Sequence, residues 1–173
     1  MLSEAQIVRY GRQILLRDVG GRGQERLLGA AVRVLGDGPG IDDAIAWLVA
    51  GGTPVELPEG LHPGGFLTGV QLAPPGRAAQ LDLLPRGLSS PAPTQVVVGA
   101  GVAFRGPGAC DGCWSATLQG LPAGPPGGPV GSLAALTAQR LILGWAEALG
   151  LVLWTGARLQ AVAPAPCTHS KHQ

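Results

Sequence analysis

The run Ala31-Val32-Arg33-Val34-Leu35-Gly36-Asp37-Gly38-Pro39-Gly40-Ile41-Asp42-Asp43-Ala44-Ile45-Ala46-Trp47-Leu48-Val49-Ala50 decides the reading of this chain. Its first five residues are apolar apart from Arg33, with branched Val32 and Val34, and predict a short buried strand. Gly36 to Gly40 has turn composition. Asp42 to Ala50 then sets Ile45, Leu48 and Val49 at helical spacing, and Asp42 and Asp43 suit the positive end of a helix. Gly51-Gly52 stops that helix, and Thr53 to Leu57 predicts a second, parallel strand. Together these make one βαβ unit.

A glycine turn after a strand resembles a dinucleotide fingerprint, in which small residues let phosphate reach a helix N-terminus. Gly36, Gly38 and Gly40 are therefore the cofactor-binding candidates. The pattern is damaged. Ile41 stands at the third glycine position, Pro39 removes a backbone donor, and Asp42 and Asp43 would repel a triphosphate. A strand-to-helix turn without ligand is the simpler reading. A ribose-binding carboxylate belongs about 20 residues on. Glu56 and Glu59 both qualify, and Glu59 is preferred because it lies nearer the strand's end.

Working outward, Ser3 and Gln6 have capping-box spacing ahead of Ile7, Tyr10 and Ile14, which predicts a helix from Glu4 to Leu16. A second short helix is expected over Gly23 to Leu28. From Pro58 to Pro93 the signal fades, with strands possible only at Phe66 to Leu72 and Leu81 to Leu84. Gln95 to Val98 is a buried strand that resumes at Val102 to Phe104. Ser132 is read as the cap of a helix running to Leu149. Leu151 to Trp154 and Arg158 to Val162 flank Thr155-Gly156-Ala157 as a hairpin. Trp145 and Trp154 are expected to anchor core or interface, and Trp47 and Trp114 are assigned to packing.

Composition limits the function. The chain has 173 residues, 46% hydrophobic and 13% charged, with a formal net charge of +1. Its mean hydropathy is +0.27. Such a chain can bury a core, and it has no basic field to draw nucleic acid or an anionic membrane. The apolar run from Leu133 to Trp154 contains Gln139, Arg140 and Glu147, which argues for a buried helix and strand over a membrane span. A cytoplasmic location is expected. Lys171 is the one lysine, so chemistry needing a lysine in the core is excluded.

Arg9-Tyr10-Gly11-Arg12-Gln13-Ile14-Leu15-Leu16, taken with Gly23-Gln24-Glu25-Arg26-Leu27-Leu28, resembles the opening of the ThiF/MoeB/HesA family. That family is the prokaryotic branch of the ubiquitin-activating enzymes, which adenylate the C-terminal glycine of a ubiquitin-like protein. Gly108-Ala109-Cys110-Asp111-Gly112-Cys113, Gly128-Pro129-Val130-Gly131-Ser132, Trp154-Thr155-Gly156 and Cys167 follow in the family's order. The resemblance covers roughly Leu2 to Gly52 and Val97 to Cys167. It implies an α/β fold of Rossmann-like ThiF/MoeB type, with a mixed sheet, helices on both faces and a C-terminal zinc knuckle. Residues 1–173 would be one domain: helices and the βαβ unit in 1–57, a shortened middle in 58–94, and sheet, long helix and zinc tail in 95–173.

The family's ATP apparatus is absent. Leu57-Pro58-Glu59-Gly60-Leu61-His62-Pro63-Gly64 stands where an Asp-x-Asp segment and an Asn-Leu-x-Arg-Gln run belong. Arginine and lysine neutralise phosphate charge and an aspartate holds magnesium in such chemistry. Self-sufficient use of magnesium-ATP is therefore not expected. The resemblance leaves Arg12 as the possible catalytic contribution, reaching a partner subunit's site in trans. It also implies zinc on Cys110, Cys113 and Cys167, with His169 or His172 as fourth ligand in place of the family's cysteine, where this chain has Ser170. A disulfide or redox pair is the competing reading, and no helix N-terminus is anticipated at Cys110.

The expected function is that of a degenerate, non-catalytic relative. It would serve as scaffold or partner subunit for a homologous adenylyltransferase, as homo- or heterodimer, or for a ubiquitin-like or sulfur-carrier protein. The alternatives are an active adenylyltransferase using Arg12 or Arg33, a nicotinamide- or flavin-binding Rossmann protein, and a stand-alone interaction module without nucleotide.

Overall fold

A computed structural model describes residues 1–61, 72–74, 77–163 and 167. The chain order is α1 (Glu4–Ile14), α2 (Gly20–Gly29), β1 (Val32–Val34), α3 (Ile41–Ala50), β2 (Val55–Glu56), β3 (Leu81–Pro85), β4 (Gln95–Val98), β5 (Gly101–Arg105), α4 (Asp111–Gly120), α5 (Val130–Leu143), β6 (Leu149–Trp154) and β7 (Leu159–Val162). The strands form one sheet in the order β2-β1-β3-β4-β5-β6-β7. Pairing is parallel from β2 to β4 and antiparallel from β4 to β7.

Alternation along the strands divides the core. Val96 and Val98 of β4 face one side with Val32, Val34 and Leu83, where Ile41, Ile45 and Leu48 of α3 and Ala134 and Ala138 of α5 pack on them. Val97 faces the other side with Leu84, Ala103 and Leu151, under Trp114 of α4 and Leu121. One face is thus covered by α3 and α5 and the other by α4. The branched, apolar strands are what a sheet covered on both faces requires.

The N-terminal helix forms as its cap predicts. The Ser3 hydroxyl accepts from the Gln6 amide at 3.2 Å, and the Gln6 side chain accepts from the Ser3 amide at 2.9 Å. Ile45, Leu48 and Val49 of α3 are all buried.

Several sequence expectations are corrected. Helix α2 begins at Gly20. Ser132 does not cap α5; Pro129 does, and the Ser132 hydroxyl donates to the Pro129 carbonyl at 2.8 Å from inside the first turn. The same helix ends at Leu143, where Gly144 adopts φ 76°, because a left-handed C-terminal residue closes a helix. Trp145 therefore lies beyond the helix, 41% exposed, and Trp47, assigned to packing, is 59% exposed. Helix α4 was not anticipated. Of the middle segment, Leu81–Pro85 is a strand, whereas Phe66 to Gln71 lie outside the described residues.

Candidate metal centre

Cys110 has extended dihedrals, φ −68° and ψ 131°, and is the N-cap of α4, whose first turn carries Cys113. The Trp114 amide donates to the Cys110 carbonyl at 2.8 Å, closing that turn. Cys167 comes to the pair from beyond β7, and the three sulfurs lie within 4.8 Å of one another. Three cysteines so placed can hold a metal ion. The absence of a helix N-terminus at Cys110, expected from sequence, is thus overturned. The helix dipole there favours thiolate over thiol.

Clustering without a cation works the other way on Cys113. Hydrogen bonding with Cys167 comes first, then desolvation and the neighbouring Cys110, and together they push its thiol up to about 12. A divalent cation inverts that balance, because it binds thiolate and displaces the protons. The candidate fourth ligands His169 and His172 lie outside the described residues.

The basic setting of this helix was also missed. Arg105 of β5 is 8% exposed. Its Nη1 donates to Asp111 Oδ1 at 2.7 Å and its Nη2 to the Ala92 carbonyl at 2.8 Å. The guanidinium carbon stands 5.7 Å from the centroid of the Trp114 ring. A lone arginine in the strand Gly101–Arg105 was the signal available.

The glycine turn lies at the C-terminal ends of β1 and β3. Strand β1 has β2 on one side and β3 on the other, so this is the switch point of the parallel strands, where an open α/β sheet takes a ligand. Here side chains of the chain itself pack against the turn. Gly36, Gly38 and Gly40 have φ 131°, 156° and 83°. A Cβ on Gly36 would stand 2.8 Å from Leu88 Cδ1, and one on Gly40 would stand 3.0 Å from Pro126 Cγ. Pro85 lies 3.4 Å from the Cβ position of Gly38. The glycines are required by backbone conformation and by the chain's own packing.

Arg33, the phosphate candidate on β1, is engaged elsewhere. Arg33 holds Asp82 through two bonds, Nε to Oδ1 at 2.9 Å and Nη2 to Oδ2 at 2.8 Å. Ser90 also donates to Asp82. This bridge, with Glu56 beside it, raises the Arg33 guanidinium above its ordinary value. Arg86 Nε donates to the carbonyl of Leu121, the C-cap of α4, at 2.9 Å, and Arg77 Nη1 reaches the Ala30 carbonyl at the end of α2 at 3.3 Å. Both satisfy carbonyls that a helix end leaves open. Glu59 is exposed, three residues beyond β2, and Arg12 is exposed in the last turn of α1. The structure does not bring Arg12 or Glu59 to the glycine turn as partners of its residues among the described hydrogen bonds and ion pairs.

A groove of 360 Å³ opens between α3, α5 and the start of β7, lined by Trp47, Leu133, Leu136 and Leu159 with Gln13 and Gln139. Trp47, Leu136 and Leu159 are 59%, 53% and 47% exposed. An exposed tryptophan beside two leucines is the composition of a protein contact. No helix among the described residues is long and apolar enough to cross a membrane.

No family model matches the chain, and no curated protein matches it. Among solved structures, it superposes on the crystal structure of SeMet PaaA with a TM-score of 0.59 and 13% identity, over 94% of this chain and 84% of that one. Likeness at that identity speaks for fold alone. The motif-based assignment to the ThiF/MoeB/HesA family is accordingly corrected: that family's model is not matched, and the shared fold is the one seen in PaaA. With it go the ThiF/MoeB-type description of the fold and the adenylyltransferase identity. The physical reason lies in the motifs. A glycine turn, a capping box and a Cys-x-x-Cys at a helix start answer local backbone needs.

Proposed function

We propose that this protein is a non-catalytic binding scaffold, stabilised by zinc and docking a protein partner without using a nucleotide. The observation that carries the reading is the packing of Leu88, Pro85 and Pro126 of the chain itself against the glycine turn. A phosphate would have to displace packed side chains and meet Asp42 and Asp43 at the helix start. Arg33, the nearest cation on β1, is already neutralised by Asp82.

The cysteine cluster supports zinc as the ion. Zinc takes sulfur and imidazole in tetrahedral sets, and His169 or His172 would complete three thiolates. Bound there, it ties the segment after β7 to the start of α4 and contributes to folding. The exposed Trp47 groove supports a protein as the partner, in line with the small carrier protein or second subunit expected from sequence.

The test has two parts. Metal analysis of protein purified without chelator is expected to give one zinc per chain. Calorimetric titration with magnesium-ATP is expected to give no heat at millimolar nucleotide. Micromolar ATP binding would overturn the nucleotide-free reading, and metal-free protein would overturn the zinc.

A further inference from the structure

We propose that Arg105 is the positioning residue of the cysteine site: it clamps the Cys-x-x-Cys turn through Asp111 and Trp114. The inference rests on the metal reading above and goes beyond it by assigning a residue that holds no metal itself.

The geometry is unusual for a stabilising ion pair. The Arg105 side chain is 10% exposed and the Asp111 side chain 92% exposed. A carboxylate that exposed repays little of the cost of burying a guanidinium. Arg105 Nε is buried and without a hydrogen-bond partner among the described residues. The arrangement is therefore costly, and a site that gains from it is the natural reason for its presence.

What it gains is control of the ligands. Asp111 lies between Cys110 and Cys113, and Trp114 follows directly. One planar guanidinium grips the first of these by a 2.7 Å bond and stacks near the second, while Nη2 is anchored on the Ala92 carbonyl outside the helix. Arg105 also pairs with Gln95 on one side and Leu149 on the other, so its backbone is held by the sheet. The first turn of α4 is thereby referenced to the sheet's interior, and both sulfurs face Cys167. Partners outside the ligand shell commonly change metal affinity about 10–100-fold.

The experiment uses the full chain. Zinc affinity is measured by chelator competition, and cobalt substitution reports sulfur ligation through its charge-transfer absorption. Arg105→Gln is expected to weaken zinc about tenfold or more and to alter the cobalt spectrum. Asp111→Asn, at an exposed position that leaves the fold intact, is expected to weaken zinc severalfold while the melting of metal-free protein stays put. Unchanged affinity and spectrum in Asp111→Asn and in folded Arg105→Gln would overturn the role of Arg105. Absence of sulfur-bound cobalt in the unsubstituted protein would instead overturn the metal reading beneath it.

Discussion

Leu88 Cδ1 stands 2.8 Å from the point where a side chain on Gly36 would begin. The two residues meet just beyond the C-terminal ends of β1 and β3. Gly36→Ala meets both this contact and a φ of 131°, and is expected to destabilise by about 1–3 kcal/mol. Chemical denaturation measures it. In the double variant with Leu88→Ala the contact is relieved and the strain is not, so only part of the loss should return. Full recovery would mean that the backbone at Gly36 is unstrained.

Asp82 is the buried half of the Arg33 bridge, its side chain 1% exposed against 40% for Arg33. Asp82→Ala removes the acceptor for Arg33 and Ser90 from the centre of the sheet. Arg33 can turn to solvent, so the loss should fall below the roughly 3–5 kcal/mol of a fully buried pair. Equilibrium unfolding with a cost within experimental error would show that the bridge contributes nothing.

Metal-free protein should lose stability as pH rises from about 9 toward 12. The Cys113 thiol moves from 9.0 up to about 12 on folding. A group whose folded value is raised contributes stability present below its unfolded value and lost as pH climbs through the folded one. With zinc bound the dependence reverses, because protons compete for thiolates as pH falls. Thermal melting of both forms across pH 6 to 10.5 separates the two signs, and identical profiles would refute both.

Zinc, if bound at the cysteine cluster as proposed, raises stability by mass action, about 2.7 kcal/mol at a hundredfold excess over the dissociation constant. Chelator should lower the melting temperature of the unsubstituted chain. In Cys167→Ser the same chelator should do little, because the ligand that ties the segment after β7 to α4 is gone. A chelator effect of equal size in both proteins would remove Cys167 from the site.

Two tryptophans should behave oppositely. Trp114 is 6% exposed in the core under α4, and Trp114→Ala is expected to cost about 3–5 kcal/mol. Trp47 is 59% exposed, so Trp47→Ala should change stability by no more than about 0.5 kcal/mol while weakening capture of a protein partner. A large stability loss at Trp47 would return it to packing.

Local features were legible in the chain by itself. Ser3 and Gln6 specify the start of α1, the continuous branched run Val96–Val98 specifies a strand covered on both faces, and Gly36 to Gly40 specifies a strand-to-helix turn. Each depends on residues within one turn or one strand, so each can be read from neighbours in sequence. The grouping of Cys110 with Cys113 was legible for the same reason. Tertiary structure decided the rest. What packs on the glycine turn depends on Leu88 and Pro126, 52 and 86 residues from Gly36 and Gly40, and no local pattern records it. The pairing of Arg33 with Asp82, the clamp of Arg105 on α4 and the return of Cys167 are likewise set by strand order. Motif likeness over short runs suggested a family and a nucleotide site, because local backbone demands repeat across chains. Which space is filled, and which charge is already paired, is settled only when distant segments come together.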